Sequence, residues 1–383
     1  MAVRRIGCWI TVLGLILGLL VPAVRAAPAE VVAKSAVLID AATGTVLHEQ
    51  NAHEALAPAS VTKVMTMLLI MEAIDSGKLS WDDTVTASEA AAAKGGSQIY
   101  LKVGETMSVS DMVKSIAVSS ANDCACAMAE HLAGSEEAFV EQMNKRAAEL
   151  GMEDTHFVNC TGLDDEPEAA SHITSAAVIA IMSRELLTKH PDIKKYTTIW
   201  MDTVRGGTFG LSNTNKLVRF YSGATGLKTG FTTSAGYCLS ASAMRDGMEL
   251  IAVVMGSETS QARFAACKSL LDYGFANFAL VAPEVEIGQV AVKLGTQDLV
   301  NAIPAQLPRL LIDKSQRDSV HTTLELKEQI DAPVSQGQRL GTLTVKAGEQ
   351  VLQQVPLVAE TSVPKLSFGQ LYVKILKQLC MAK

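Results

Sequence analysis

From Val64 to Ile74 the chain is apolar apart from Thr66 and Glu72, so this run lacks a polar face and predicts a helix buried on all sides. Upstream, Ser35 to Ile39 is a short apolar run ending in Asp40. A turn at Ala41-Ala42-Thr43-Gly44 leads to a second extended run, Thr45 to His48, which predicts a β-hairpin. Downstream, residues 84–108 are Ala- and Gly-rich, broken at Lys94-Gly95-Gly96-Ser97, and predict short helices and loops. Ser110-Asp111 caps a helix carrying Met112, Val113 and Ile116 that ends at Val118-Ser119-Ser120. Another helix runs from Asn122 through Cys126, Met128 and Leu132 to Gly134. A third, amphipathic, runs from Glu137 to Leu150 and stops at Gly151. An irregular acidic loop (159–172) precedes a helix from Ile173 to Leu187. Gly236 to Met244 and Glu249 to Met255 read as strands joined by Arg245-Asp246-Gly247, followed by a helix from Ala262 to Phe275. Hairpin, helices, hairpin, helix predicts an α/β domain whose antiparallel sheet gathers strands from both ends of the segment.

Beyond Phe278 the pattern changes. Short alternating runs (Val290 to Leu294, Val320 to Leu326, Leu340 to Val345, Val351 to Val358), separated by Gly and Pro, predict a small all-β domain. From Lys365 it changes again. Phe368, Leu371, Tyr372, Ile375, Leu376 and Leu379 recur at helical spacing, with Lys374, Lys377 and Gln378 on a polar side. This tail is too short and polar to span a bilayer and suits an interfacial helix on a membrane surface; the alternative is a helix docked on the protein itself. At the other end, Arg4 and Arg5, the apolar stretch Ile6 to Val21, and Val24-Arg25-Ala26 read as an export signal with its cleavage site. The expected organisation is a signal peptide at 1–26, a catalytic domain at 27–278, a β-domain at 279–362 and an amphipathic anchor at 363–383. The protein would then act at the outer face of the cytoplasmic membrane.

Composition narrows the functional classes. Hydrophobic residues make up 48% of the 383, but the excess comes partly from Ala and the two termini and does not imply a polytopic membrane protein. The formal net charge of −7 becomes −10 when the three arginines of residues 1–26 are removed, and an acidic body argues against nucleic acid as a partner. Cys8 lies at the start of the apolar stretch, far from the cleavage site, and is not placed for lipid attachment. The remaining cysteines, Cys124, Cys126, Cys160, Cys238, Cys267 and Cys380, have neither the spacing of a disulfide-stapled small domain nor that of a zinc site, and most are expected as small buried apolar residues. The seven histidines show no metal-ligand spacing, so neither a metal nor another cofactor is expected.

The chemistry begins just ahead of the buried helix, where Pro58 ends an extended segment and Ser60 falls at the cap or first turn. Ser60 and Lys63, three apart, share one helix face, so the amine can lie against the hydroxyl as an activated serine requires when no histidine serves. Alone, that spacing is at chance level. Two further motifs follow in order: Ser120-Ala121-Asn122 at a helix–helix junction, and Lys228-Thr229-Gly230 at the start of the strand-rich region. The order S-x-x-K, S-x-N, K-T-G is shared by penicillin-binding proteins and serine β-lactamases.

The chain resembles the D-alanyl-D-alanine carboxypeptidases among the low-molecular-mass penicillin-binding proteins over nearly its whole length. The matching stretches are Ala57–Lys63, Ser119–Asp123, Asn159-Cys160-Thr161-Gly162-Leu163, Gly226–Thr232 and Ala235-Gly236-Tyr237. The resemblance implies a β-lactamase/transpeptidase-like fold, an antiparallel sheet flanked by helices with an all-helical subregion, followed by a β-sandwich domain. It implies an exported serine carboxypeptidase that removes the terminal D-alanine from peptidoglycan pentapeptides, with β-lactams as inhibitors acylating the same serine. Ser60 would be the nucleophile and Lys63 the base, its pKa depressed by burial and by the nearby cation Lys228. Ser120 would relay the proton, and Asn122 would bind the substrate backbone and help fix Lys63. Backbone N–H groups of Ser60 and of Phe231, after Gly230, would hold the oxyanion, while Lys228, Thr229 and Arg263 would hold the terminal carboxylate. The family usually has an Asp where this chain has Val178, which implies a lost loop-fixing contact.

Glu166-Pro167-Glu168 lies where class A β-lactamases carry their deacylating Glu. Ala169-Ala170 replaces the Leu-Asn that completes that motif, so these acids read as a solvated loop. A β-lactamase, and a catalytically idle peptidoglycan- or β-lactam-binding protein, are the competing readings.

Overall fold

The computed structural model describes residues 28, 31–165 and 167–381; the expected export signal and Glu166 lie outside the described residues. Strand β1 (Ser35–Asp40) and strand β2 (Val46–Gln50) form the first hairpin. The helices α1 (Lys63–Asp75), α2 (Val109–Ser119), α3 (Asn122–Ala133), α4 (Glu136–Glu149) and α5 (Ala176–Lys189) follow. The chain then returns through β3 (Ala224–Thr232), β4 (Gly236–Arg245) and β5 (Met248–Ser257) and closes with α6 (Ser260–Asn277). The sheet is wholly antiparallel in the order β2-β1-β5-β4-β3, so strands from the two ends of the segment meet at the β1–β5 pairing.

Both faces of this sheet are covered, and alternation along each strand assigns residues to one face or the other. Val37, Ile39, Ile251, Val253 and Met255 join the larger core with α1 to α5. Ala36, Leu38, Leu250, Ala252 and Val254 pack on Ala266, Cys267, Leu270 and Leu271 of α6. The central strand β5 is therefore a continuous apolar run, as expected of a strand buried on both sides. Helix α1 buries Val64, Met65, Met67, Leu68, Ile70 and Met71 in the middle of the larger core, which is why it shows no polar face.

Several boundaries differ from expectation for local reasons. Ser108, not Ser110, caps α2 by accepting from the Asp111 N–H. Helix α5 begins at Ala176 because Ile173 and Thr174 are engaged as bridges to His156 and Leu56, and Ser175 then caps it. Within residues 84–108, Thr84–Thr86 pairs with Thr106–Ser108 around the buried contact of Val85 with Met107. Three residues are too few for a period-2 pattern to show in sequence.

After α6 the chain forms one six-stranded sheet in the spatial order Val320–Leu326, Arg339–Ala347, Gln350–Ala359, Leu299–Pro304, Gly288–Lys293, Gln329–Asp331. Its inward residues, among them Val290, Val300, Leu343, Val355 and Leu357, make a separate core. Leu326 at one edge lies against Gly288 near the other, so the expected sandwich is made by one sheet curled over itself. Helix α7 (Phe368–Met381) ends the described chain.

Candidate active site

The turn that carries Ser60 is tighter than an α-helix start. Ala59–Thr62 is a 3-10 turn leading into α1, and Ser60 caps nothing with its side chain. Ala59 adopts φ +48, an uncommon conformation for a residue with a Cβ. What holds it is a relay of hydrogen bonds. The Thr62 hydroxyl donates to the Ala59 carbonyl at 2.8 Å and lies 2.8 Å from His172 Nε2. The Val158 N–H donates to His172 Nδ1 at 3.3 Å, so the imidazole proton sits on Nε2 and points to Thr62. Burial, aided by His156 and Lys63, lowers the His172 pKa to about 4, which keeps the ring in this neutral form. Two glycines admit the close backbone contacts. A Cβ on Gly162 would lie 1.9 Å from the Ala59 carbonyl oxygen, and one on Gly230 would lie 2.6 Å from the Pro58 oxygen and 3.1 Å from Ser60 N. The K-T-G strand is thereby pressed onto the nucleophile turn.

Lys63 is fully buried. Its Nζ donates to Ser60 Oγ at 2.9 Å and to the Thr161 carbonyl at 2.8 Å. Burial brings its pKa down to about 7, while Cys160, Asp123 and Glu136 pull the other way. Burial, one of the two expected causes, is the leading one at Lys63, and burial, Lys63 and Arg263 together push Lys228 far below its ordinary value.

Lys228 Nζ donates to Ser120 Oγ at 2.9 Å and to the Thr229 carbonyl at 2.8 Å. Ser120 is the left-handed C-cap of α2, at φ +62, which turns the chain abruptly into α3 and aims its hydroxyl at the Lys228 amine. Asn122, the first residue of α3, donates from Nδ2 to the Gly95 carbonyl at 2.7 Å, and its Oδ1 is buried without a partner among the described residues. Lys63 is thus fixed by the Thr161 carbonyl rather than by Asn122.

The Thr229 hydroxyl lies 2.6 Å from that of Thr214. Arg263 is buried on α6, and its Nη1 donates to the carbonyls of Gly230 at 2.8 Å and Cys238 at 3.2 Å, while its Nε has no partner among the described residues. The Phe231 side chain points outward and stacks on Tyr237, centroids 4.2 Å apart. Ser60, Lys63, Ser120, Lys228 and Thr229 are therefore drawn together by hydrogen bonds and close packing, with Arg263 behind the Gly230 carbonyl. Val178, at the departure from the family pattern, is buried in the core. Asp154 accepts from the hydroxyl of Ser175, the cap of α5, and pairs with His53, tying the start of α5 to the preceding loop.

Two parts of the site have no legible side-chain motif. The Thr161 carbonyl acts through backbone, and its only sequence signal is the Asn159–Leu163 stretch, in which Asn159 Oδ1 accepts from the N–H groups of Thr161 and Gly162. Thr214 belongs to an Asn-Thr-Asn turn whose proximity to Thr229 arises only in the fold.

The family described as D-alanyl-D-alanine carboxypeptidase matches residues 22–259, and that described as penicillin-binding protein 5, C-terminal domain, matches residues 275–365. A curated relative, D-alanyl-D-alanine carboxypeptidase DacF of Bacillus subtilis, is 45% identical over 343 residues, covering 88% of this chain and 87% of its own. Penicillin-binding protein 5 of Haemophilus influenzae is a structural neighbour with TM-score 0.75 and 30% identity, covering 89% of this chain and all of its own. Penicillin-binding protein D2 of Listeria monocytogenes, solved in an ampicillin-bound form, matches with TM-score 0.56 and 32% identity over 64% of this chain and 98% of its own.

Proposed function

The chain belongs to the D-alanyl-D-alanine carboxypeptidase family, a family of serine peptidases, and from that premise we propose that it cleaves the terminal D-alanine from peptidoglycan stem peptides through an acyl-enzyme on Ser60. The contact of a desolvated Lys63 amine with Ser60 Oγ at 2.9 Å carries this reading. With a pKa of about 7, Lys63 is substantially neutral at physiological pH. A neutral amine can keep one N–H on the Thr161 carbonyl and accept the serine proton on its lone pair. Ser60 Oγ then attacks the carbonyl joining the two D-alanines. The N–H groups of Ser60 and Phe231 take the charge developing on the carbonyl oxygen, in keeping with the close seating of Gly230 on the nucleophile turn. As the C–N bond breaks, the proton passes from Lys63 through the Ser120 hydroxyl to the leaving amine. The departing D-alanine takes both electrons of that bond and leaves the acyl group on Ser60. Water then hydrolyses the ester.

Substrate carboxylate binding has a second effect. Burial holds Lys228 far below its ordinary value, with the Lys63 amine and Arg263 adding to the effect, so an anion placed at Lys228, Thr229 and Arg263 favours the charged form of Lys228. The unpartnered Arg263 Nε and Asn122 Oδ1 are buried groups that a peptide's carboxylate and amide would satisfy.

The same serine is proposed as the target of β-lactams, which present a strained amide to it. Export is read from residues 1–26 and attachment to the outer face of the cytoplasmic membrane from α7, whose Phe368, Tyr372, Ile375 and Leu376 are exposed. No described helix is long and apolar enough to cross a membrane. Mass spectrometry of fragments after benzylpenicillin treatment tests the chemistry. A stable penicilloyl adduct on Ser60 is expected. Rapid turnover of the drug with no adduct would favour a β-lactamase, and an adduct without peptide turnover would favour a binder.

A further inference from the structure

Glu136, the first residue of α4, is bonded to the segments that fix two separate parts of the site. Its Oε1 accepts from the Cys160 N–H at 3.1 Å and from the Cys160 thiol at 3.2 Å. Its Oε2 pairs with Lys94 Nζ at 2.6 Å and lies 3.6 Å from the Cys126 thiol. Cys160 precedes Thr161, whose carbonyl holds Lys63, and the Cys160 carbonyl itself receives the Thr66 hydroxyl of α1 at 2.6 Å. Lys94 precedes Gly95, whose carbonyl holds the Asn122 amide. One carboxylate thereby joins the loop behind the base to the loop behind the substrate-binding amide.

The carboxylate keeps its charge in this place. Burial pushes its pKa up, but Lys94 and the Cys160 N–H outweigh that and hold it below the ordinary range. A cavity of about 350 Å³ lined by Lys94, Gly95, Glu136 and Thr161 borders the pair, so the pair sits at the outer wall of the site rather than deep in the core.

We propose that Glu136 is a positioning residue for acylation, setting the Thr161 carbonyl against Lys63 and the Gly95 carbonyl against Asn122 in a single register. The inference rests on Ser60 being the acylated nucleophile. It accounts for a half-buried ion pair that the proposed chemical steps do not use.

Its test is the rate of Ser60 acylation by benzylpenicillin as a function of pH, with melting followed by circular dichroism. The charged and titratable groups facing Lys63 are Cys160, Asp123 on α3, Glu136 on α4, Lys228 on β3 and His172. Glu136 is one of those that raise the Lys63 pKa. Removing its charge in Glu136→Gln lowers that pKa further and moves the acid limb of the profile to lower pH. The plateau rate is expected to fall roughly tenfold or more, as for a misplaced catalytic group. Glu136→Asp keeps the charge with a shorter reach, so its limb stays at the wild-type pH while its plateau falls. A folded Glu136→Gln with an unmoved limb and an intact plateau overturns the proposal. Should that variant not fold, Lys94→Met opens the same pair from the loop side. Slower acylation supports the proposal there, and a wild-type rate overturns it. Failure of the wild type itself to be acylated at Ser60 would instead sink the underlying reading.

Discussion

At the scale of single residues, the proposed mechanism depends on keeping Lys63 neutral. Its ordinary pKa of 10.5 is brought to about 7 by burial, so the fraction able to accept the Ser60 proton rises with pH through that value. The acylation rate is expected to climb with an acid limb near pH 7, and a limb near pH 10 would mean the amine is not desolvated. His172 makes a different prediction. In the unfolded chain its imidazole takes a proton near 6.5, in the fold only near 4, so between those values the unfolded state binds more protons. Stability should fall as pH drops from 6.5 to 4 and gain no further loss from this group below 4. Urea midpoints across that range should fall more steeply for the wild type than for His172→Gln, which has no ring to titrate. Equal slopes would remove His172 from the account.

At the scale of elements, the site is made by backbone contacts that bring a 3-10 turn, a loop and a strand within contact distance. Gly162 faces the Ala59 carbonyl so closely that Gly162→Ala should cost more than about 2 kcal/mol and slow acylation as the nucleophile turn shifts. Gly134 ends α3 at φ +88 with open space around it, so Gly134→Ala carries only the conformational cost, about 1 kcal/mol, and leaves acylation unchanged. Thermal melts with acylation rates distinguish the two. The same elements show what could be read in advance. The buried character of α1, the glycine stops after α3 and α4 and the β4–β5 hairpin follow from periodicity and turn chemistry, which are local. The motif side chains at Ser60, Lys63, Ser120 and Lys228 were legible because chemistry demands particular side chains there. The Thr161 carbonyl was not, since any residue supplies one. Neither was the meeting of Thr214 with Thr229, because long-range contacts exist only once the chain is folded.

At the scale of the whole molecule, the α/β part carries every residue of the proposed site, and the curled sheet after α6 contributes none of them. Helix α7 follows that sheet and touches it through Lys374 and Asp298, while Phe368 remains 87% exposed and Tyr372 61% exposed. Deleting residues 366–383 is therefore expected to leave peptide hydrolysis in solution unchanged but abolish co-sedimentation with anionic lipid vesicles. Retained sedimentation would place the membrane contact elsewhere. The central claim concerns chemistry rather than place, and it is tested most directly by D-alanine release from diacetyl-Lys-D-Ala-D-Ala. The account predicts release by the wild type in step with peptide loss and none above background from Ser60→Ala. Release that persists in Ser60→Ala, or none from the folded wild type, would contradict it.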